Sequence, residues 1–161
     1  MGLEAKNPFE NDDELEGQEA RATEVDSVVT LSRIHHVAIA VVDLDIALDH
    51  YRSAFGATVD SREILDEDHV EVALLRLGES YLALMTPTSD DADLAAFLDE
   101  WGPGLHHVGY EVDDLEAAMA SLADSGYEVV DTEPRPGPAG TRTAYVNPHD
   151  VDGAIFQLVG A

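Results

Sequence analysis

In RIHHVAIAV, residues 33–41, apolar Val37, Ile39 and Val41 alternate with His36, Ala38 and Ala40, and the run is short enough for a strand. The period then changes. Asp43 is placed to cap a helix in which Leu44, Ala47, Leu48, Tyr51 and Phe55 recur at helical spacing, and Gly56 ends it. TVDSREIL, HVEVALLRL and SYLALMTP follow as three strands, separated by an acidic turn and by Gly78-Glu79. A connecting helix, DDADLAAFLDEW, leads to a second set in the same order. It comprises the strand LHHVGYEV, the helix DLEAAMASLADS stopped by Gly126, and the strands YEVVDT, TRTAYVN and AIFQLVG. EPRPGPAG, residues 133–140, is too rich in Pro and Gly for regular structure.

The two sets are copies. GLHHVGYEVDDLEAAM repeats RIHHVAIAVVDLDIAL at an offset of 71 residues, so that His107 corresponds to His36. The pattern predicts an α+β fold of two tandem βαβββ units, about 33–87 and 104–160, forming a curved mixed sheet around a central cleft. Residues 1–31 show neither period and are rich in Glu, Asp and Asn. They are expected to be a disordered acidic tail on a folded domain spanning 32–161.

Strand alternation selects the candidate site. If Val37, Ile39 and Val41 face the helix, His36 faces the cleft, and the same parity places His107 there. Taking Val72 and Leu74 as the helix-facing pair of HVEVALLRL sends Glu71 and Ala73 toward the histidines. Ala83 with Tyr81 and Met85, and Gln157 with Ile155 and Val159, complete that face. The expected cleft set is therefore His36, Glu71, His107 and Gln157. Neutral imidazoles with a carboxylate or amide oxygen suit a divalent first-row metal. A lone strand histidine is ordinarily structural, whereas two at matched positions of a duplication point to shared chemistry. His35 and His106, of opposite parity, are expected to be structural.

Paired βαβββ units with a histidine in the first strand of each resemble the vicinal oxygen chelate superfamily over residues 33–160. GLHHVGYEVDDLEAA, EPRPGPAGTRTAYVNP and GAIFQLV are most similar to its methylmalonyl-CoA epimerase family. That resemblance implies a metal-dependent epimerase of an acyl-CoA thioester, acting by α-proton abstraction and enolate stabilisation. It also implies a divalent cofactor such as cobalt, manganese, zinc or nickel, and a homodimer. The family's two histidine ligands fall on His36 and His107, and its acid/base glutamate falls on Glu71. Two positions depart: the ligand of the fourth strand falls on Ala83, and the last-strand glutamate, both ligand and second base, falls on Gln157.

An amide at Gln157 can ligate through its oxygen but cannot exchange protons near neutrality. The altered set therefore leaves two alternatives open: another metal-dependent lyase or isomerase of the superfamily, and a non-catalytic small-molecule binding protein. Arg135 and Arg142 flank the Pro-Gly loop and are candidates for the CoA phosphates.

Charge adds the remaining constraint. The chain carries 34 acidic and 8 basic residues, a formal net charge of -26, and Lys6 is its only lysine. With no basic footprint, nucleic acid is excluded as a partner. No apolar run reaches the roughly 20 residues of a membrane span, and the acidic start lacks signal-peptide order, so a cytoplasmic location is expected. The absence of cysteine removes disulfides, thiolate metal sites and a cysteine nucleophile. The charge is distributed through both repeats rather than gathered in a tail, which points to adaptation to salt. At 1 M salt the Debye length is about 3 Å, which screens the self-repulsion. The melting temperature is accordingly expected to rise between roughly 0.1 M and 2 M KCl, measured by calorimetry; an unchanged value would remove the salt-adaptation reading.

Overall fold

The computed structural model describes residues 27–161; the acidic segment before them, most of the expected tail, lies outside the described residues. Eight strands and three α-helices form an α+β fold built on one curved mixed sheet. The first half runs β1 (Arg33–Ala40), α1 (Leu44–Phe55), β2 (Val59–Leu65), β3 (Val70–Leu77) and β4 (Ser80–Pro87). After α2 (Asp93–Trp101), the second half runs β5 (Gly104–Glu111), α3 (Leu115–Asp124), β6 (Arg135–Pro136), β7 (Arg142–Val146) and β8 (Phe156–Gly160). Among the described residues no helix is long and apolar enough to cross a membrane.

Equivalent residues start the two equivalent helices. Asp43 caps α1 by accepting from Ile46 N, and Asp114 caps α3 by accepting from Ala117 N, both at 3.0 Å. Each carboxylate thereby satisfies an amide left without a partner in the first helical turn. Gly56 closes α1 in the left-handed region at φ 64, a conformation that costs glycine little.

Strand order is β2-β3-β4-β1-β5-β8-β7-β6. β1 and β5 are antiparallel at the centre, while β1 with β4 and β5 with β8 are parallel. The repeat thus becomes a pseudo-twofold arrangement about the β1–β5 ladder, in which Val37 faces its own counterpart Val108. Helix α1 covers Ala73, Leu75, Leu82 and Leu84 with Leu44 and Leu48. Helix α3 covers Ala144, Val146 and Leu158 with Leu115, Ala118 and Met119. On the opposite face, Ala38, Ala40, Val70, Val72, Leu74, Ala83 and Met85 pack with Leu94 of α2.

Two expectations are corrected. YEVVDT does not form a strand: only Val129 bridges to Val146, and the short β6 lies inside the expected Pro-Gly loop. The cause is side-chain competition for the neighbouring backbone. Asp131 Oδ2 accepts Tyr145 N at 2.8 Å and Asp150 Oδ2 accepts Glu128 N at 2.8 Å, so carboxylates replace ladder carbonyls on both sides. The parity of β3 is also the reverse of that expected. β3 pairs Leu74 with Ala83 and Val72 with Met85, so Val70, Val72 and Leu74 share the cleft face and Glu71 turns away from it.

Candidate active site

The site is built along one row of the sheet. Registers place Tyr81 of β4, His36 of β1, Gly109 of β5, Gln157 of β8 and Tyr145 of β7 opposite one another in sequence. Opposed residues in a ladder project to the same face. His107 lies two residues from Gly109 on that face, opposite Ala38, which is the repeat counterpart of Gly109.

Gly109 makes the pairing of the histidines possible. A Cβ there would stand 2.4 Å from Cε1 and 2.8 Å from Nδ1 of His36, so the imidazole lies over the bare backbone. In this position His36 Nε2 is 2.9 Å from His107 Nε2. Both side chains are buried, as is Gln157, whose Oε1 has no hydrogen-bond partner. A buried amide oxygen left unpaired is costly and calls for a partner.

The three groups fit a divalent ion. The histidine Nε2 atoms, 2.9 Å apart and both turned to the cavity, are close enough together to be held by a single ion. The unpaired Gln157 Oε1 supplies a third, neutral donor, and imidazole with amide oxygen is a donor set for the first-row metals. No group of three His, Cys, Asp or Glu capable of holding a metal occurs among the described residues, so Gln157 is needed to complete a set of three.

Burial pushes His36 down to about 4, with the adjacent His35 adding to the effect. Burial likewise drives His107 well below the ordinary imidazole value, with His36 and His106 adding to it. Both rings are thus neutral at neutral pH, which is the ligating form.

These groups line a cavity of about 520 Å³, whose wall includes Asp68, Asp131, Arg135 and Tyr145. Asp68, in the turn between β2 and β3, forms an ion pair with Arg135, and Asp131 Oδ1 is 3.7 Å from the same guanidinium. Burial raises the Asp68 carboxyl against the opposing pull of Arg135. Burial also raises the Tyr145 phenol, so it stays protonated; its hydroxyl is 3.4 Å from His107 Nδ1.

Of the residues singled out in the sequence, His36, His107, Gln157 and Arg135 share this cavity. Glu71 does not. It is on the helix-bearing side, where Arg62 Nη2 donates to its Oε1 at 3.0 Å while Arg62 Nη1 reaches Asp45 of α1. Residues 72–75 of β3 are apolar on both faces, so alternation carries no parity signal there. Arg142 is also elsewhere, bound to Glu116 of α3 and donating to Ala161 O at 2.9 Å. Asp68, Asp131 and Tyr145 of the cavity wall carry no signal in the sequence. Two are loop carboxylates without a pattern, and only the β7–β8 register brings Tyr145 opposite Gln157.

Comparison with known proteins gives a consistent picture. Residues 35–145 match the Glyoxalase/Bleomycin resistance protein/Dioxygenase superfamily. The ethylmalonyl-CoA/methylmalonyl-CoA epimerase of Cereibacter sphaeroides is 34% identical over 131 residues, covering 80% of this chain and 97% of that protein. The human mitochondrial methylmalonyl-CoA epimerase is 34% identical over 133 residues, covering 82% and 76%. Among solved structures, a Streptomyces coelicolor methylmalonyl-CoA epimerase in complex with 2-nitronate-propionyl-CoA superposes with a TM-score of 0.79. It is 35% identical over 82% of this chain and 99% of that one.

Two outcomes follow from the geometry. Gly109→Ala forces the His36 ring aside, and overpacking of this kind costs about 1–3 kcal/mol. Divalent-metal affinity, read by titration calorimetry, is expected to fall further than stability does. Separately, the unfolded chain takes up protons on these histidines near pH 6.5, whereas folded His36 does so only near 4. The unfolded state therefore binds more protons between those values. The metal-free protein is expected to be fully stabilised above about pH 6.5 and to lose melting temperature as pH falls below it. A His36→Asn, His107→Asn double variant should lose less over the same interval.

Proposed function

The chain belongs to the Glyoxalase/Bleomycin resistance protein/Dioxygenase superfamily, and on that premise we propose that it is an epimerase-like isomerase of an acyl-CoA thioester. The observation that carries this reading is the His36–His107 pair beside the unpartnered Gln157 Oε1, at the wall of a cavity large enough for an acyl group. Relatives named as methylmalonyl-CoA epimerases, and a solved epimerase holding methylmalonyl-CoA at a TM-score of 0.79, support the substrate class.

His36, His107 and Gln157 would hold a divalent metal, which when bound supplies an electrophile for the developing enolate oxygen. The remaining chemistry falls to the chain. Removing the proton α to a thioester needs a base on one face and an acid on the other. Asp68 is the half-buried cavity carboxylate whose pairing with Arg135 keeps it oriented, and burial moves its affinity for a proton toward neutrality. Glu71, turned to the opposite side of the sheet against Arg62, is not available for this role. Gln157 fills the position of a second carboxylate without being able to carry a proton. Tyr145, protonated and 3.4 Å from His107, is the neutral hydroxyl of the cavity wall. Arg135 is the cavity's guanidinium and meets the anionic portions of the substrate.

One observation favours a second reading. Glu67, Asp68, Asp91, Asp93 and Asp131 line the cavity against Arg135 alone, and Ala83 brings no donor atom. Such a lining suits a less anionic substrate, as for another metal-dependent lyase or isomerase of the superfamily.

The deciding experiment is α-proton exchange with methylmalonyl-CoA in deuterated high-salt buffer, with and without chelator. Exchange is expected, together with its loss on chelation and a KM that falls as KCl screens the acidic lining. Asp68→Asn should lower kcat by about 10²–10⁴, and Gln157→Glu should raise it by restoring a titratable group. Absence of exchange in the wild-type protein with metal and salt present would replace this reading with the second.

A further inference from the structure

Each ligand histidine is preceded by another histidine, and strict alternation would send that residue to the opposite face. The β1–β5 ladder does not alternate there. It pairs Ile34 with Tyr110 and then His36 with Gly109, leaving His35 as an extra residue on β1. It pairs Ala38 with His107 and then Ile39 with Leu105, leaving His106 as an extra residue on β5. The irregularities are repeat counterparts, 71 residues apart, and a β-bulge re-aims the side chain it carries.

The re-aimed rings touch the ligands. His35 Nδ1 is 2.9 Å from His36 Nδ1, and His106 Nδ1 is 2.7 Å from His107 Nδ1. Aromatic neighbours steady the outer rings: Tyr81 lies 5.4 Å from His35 and Phe97 lies 4.7 Å from His106, between ring centroids. With the 2.9 Å contact between the Nε2 atoms, the four imidazoles form one unbroken chain, His35–His36–His107–His106.

Proton counting gives the chain a function. A neutral imidazole has one N–H, and which nitrogen carries it is set by the partner of the other. Without metal, the central contact needs a proton on one Nε2. The ring that supplies it has a bare Nδ1, which must accept from its outer neighbour, so all four N–H groups point one way along the chain. With metal on both Nε2 atoms, both inner rings carry the proton on Nδ1. Both outer rings must then accept at Nδ1 and hold their own protons on Nε2. One inner and one outer ring change tautomer, and no proton leaves.

We propose that His35 and His106 are positioning residues, turned inward by paired β-bulges, that accept from the Nδ1–H of His36 and His107 and so hold each Nε2 ready for a divalent metal. This rests on the metal-binding part of the function proposed above.

The test is calorimetric titration of zinc into the full-length protein in high KCl, with histidine ¹⁵N NMR of the zinc-loaded wild type. His35→Leu and His106→Leu, which remove the acceptor, should each weaken zinc binding about 10–100-fold. His35→Asn and His106→Asn, whose amide oxygen can accept in its place, should restore most of that affinity. The spectra should show Nε2 of His36 and His107 bound to zinc, and N–H at Nε2 of His35 and His106. If a leucine variant fails to fold, the wild-type spectrum decides alone. Zinc bound through Nδ1, N–H at Nδ1 of either outer ring, or wild-type affinity in the leucine variants would overturn the proposal while leaving the metal site standing. Absence of zinc binding in the wild type would overturn both, and is recognised before any variant is made.

Discussion

The antiparallel β1–β5 ladder is the contact on which the rest of the molecule depends. It joins the two halves of the sheet and pairs each half's first strand with its counterpart, so a feature encoded once in the repeat is delivered twice to one place. The side chain missing at Gly109 lets His36 lean across the ladder until its Nε2 meets that of His107. A methyl group at that one position would fill the space the ring occupies. The bulges at His35 and His106 belong to the same ladder, and their extra residues give each inner ring a neighbour at Nδ1.

Beyond the ladder the two halves diverge. The cleft side of the first half is apolar, with Val70, Val72, Leu74, Ala83 and Met85 packed beneath Leu94. The second half supplies Gln157, Tyr145 and Arg135 to the cavity wall. The buried polar side chains of the row, His36, His107 and Gln157, consequently come from β1, β5 and β8, while β4 brings Ala83. The far edges of the sheet are tied by side chains: Asp68 pairs with Arg135, and Glu63 Oε1 accepts Ala139 N at 2.5 Å. Both links join the β2–β3 hairpin to the Pro-Gly loop, and the Asp68–Arg135 contact between the halves forms part of the cavity wall.

The scarcity of basic residues shapes this architecture. Among the described residues, Arg33, Arg62, Arg76, Arg135 and Arg142 all form ion pairs with carboxylates. Pairs exposed at the surface contribute little to stability and are weakened further by salt. Arg135 differs in facing the cavity, where it holds two carboxylates that would otherwise repel one another across the cleft. The fold's stability resides in the apolar layers under α1 and α3, which keep their strength at high ionic strength.

Local chemistry was legible wherever a period or a cap is written in consecutive residues. Asp43 and Gly56 bound α1, the 71-residue repeat pairs the two histidines, and alternation puts His36, His107 and Gln157 on one face, the face that lines the cavity. Tertiary structure decided whatever depends on register. β3 is apolar on both sides because α1 covers one face and Leu94 packs on the other, so only its pairing with β4 fixes Glu71 outward. YEVVDT has strand-forming residues, yet carboxylates from Asp131 and Asp150 take the amides a ladder would use. The inward turn of His35 and His106 needs an extra residue on one strand against none on its partner. That mismatch belongs to two segments 71 residues apart and exists only once their hydrogen bonds are made.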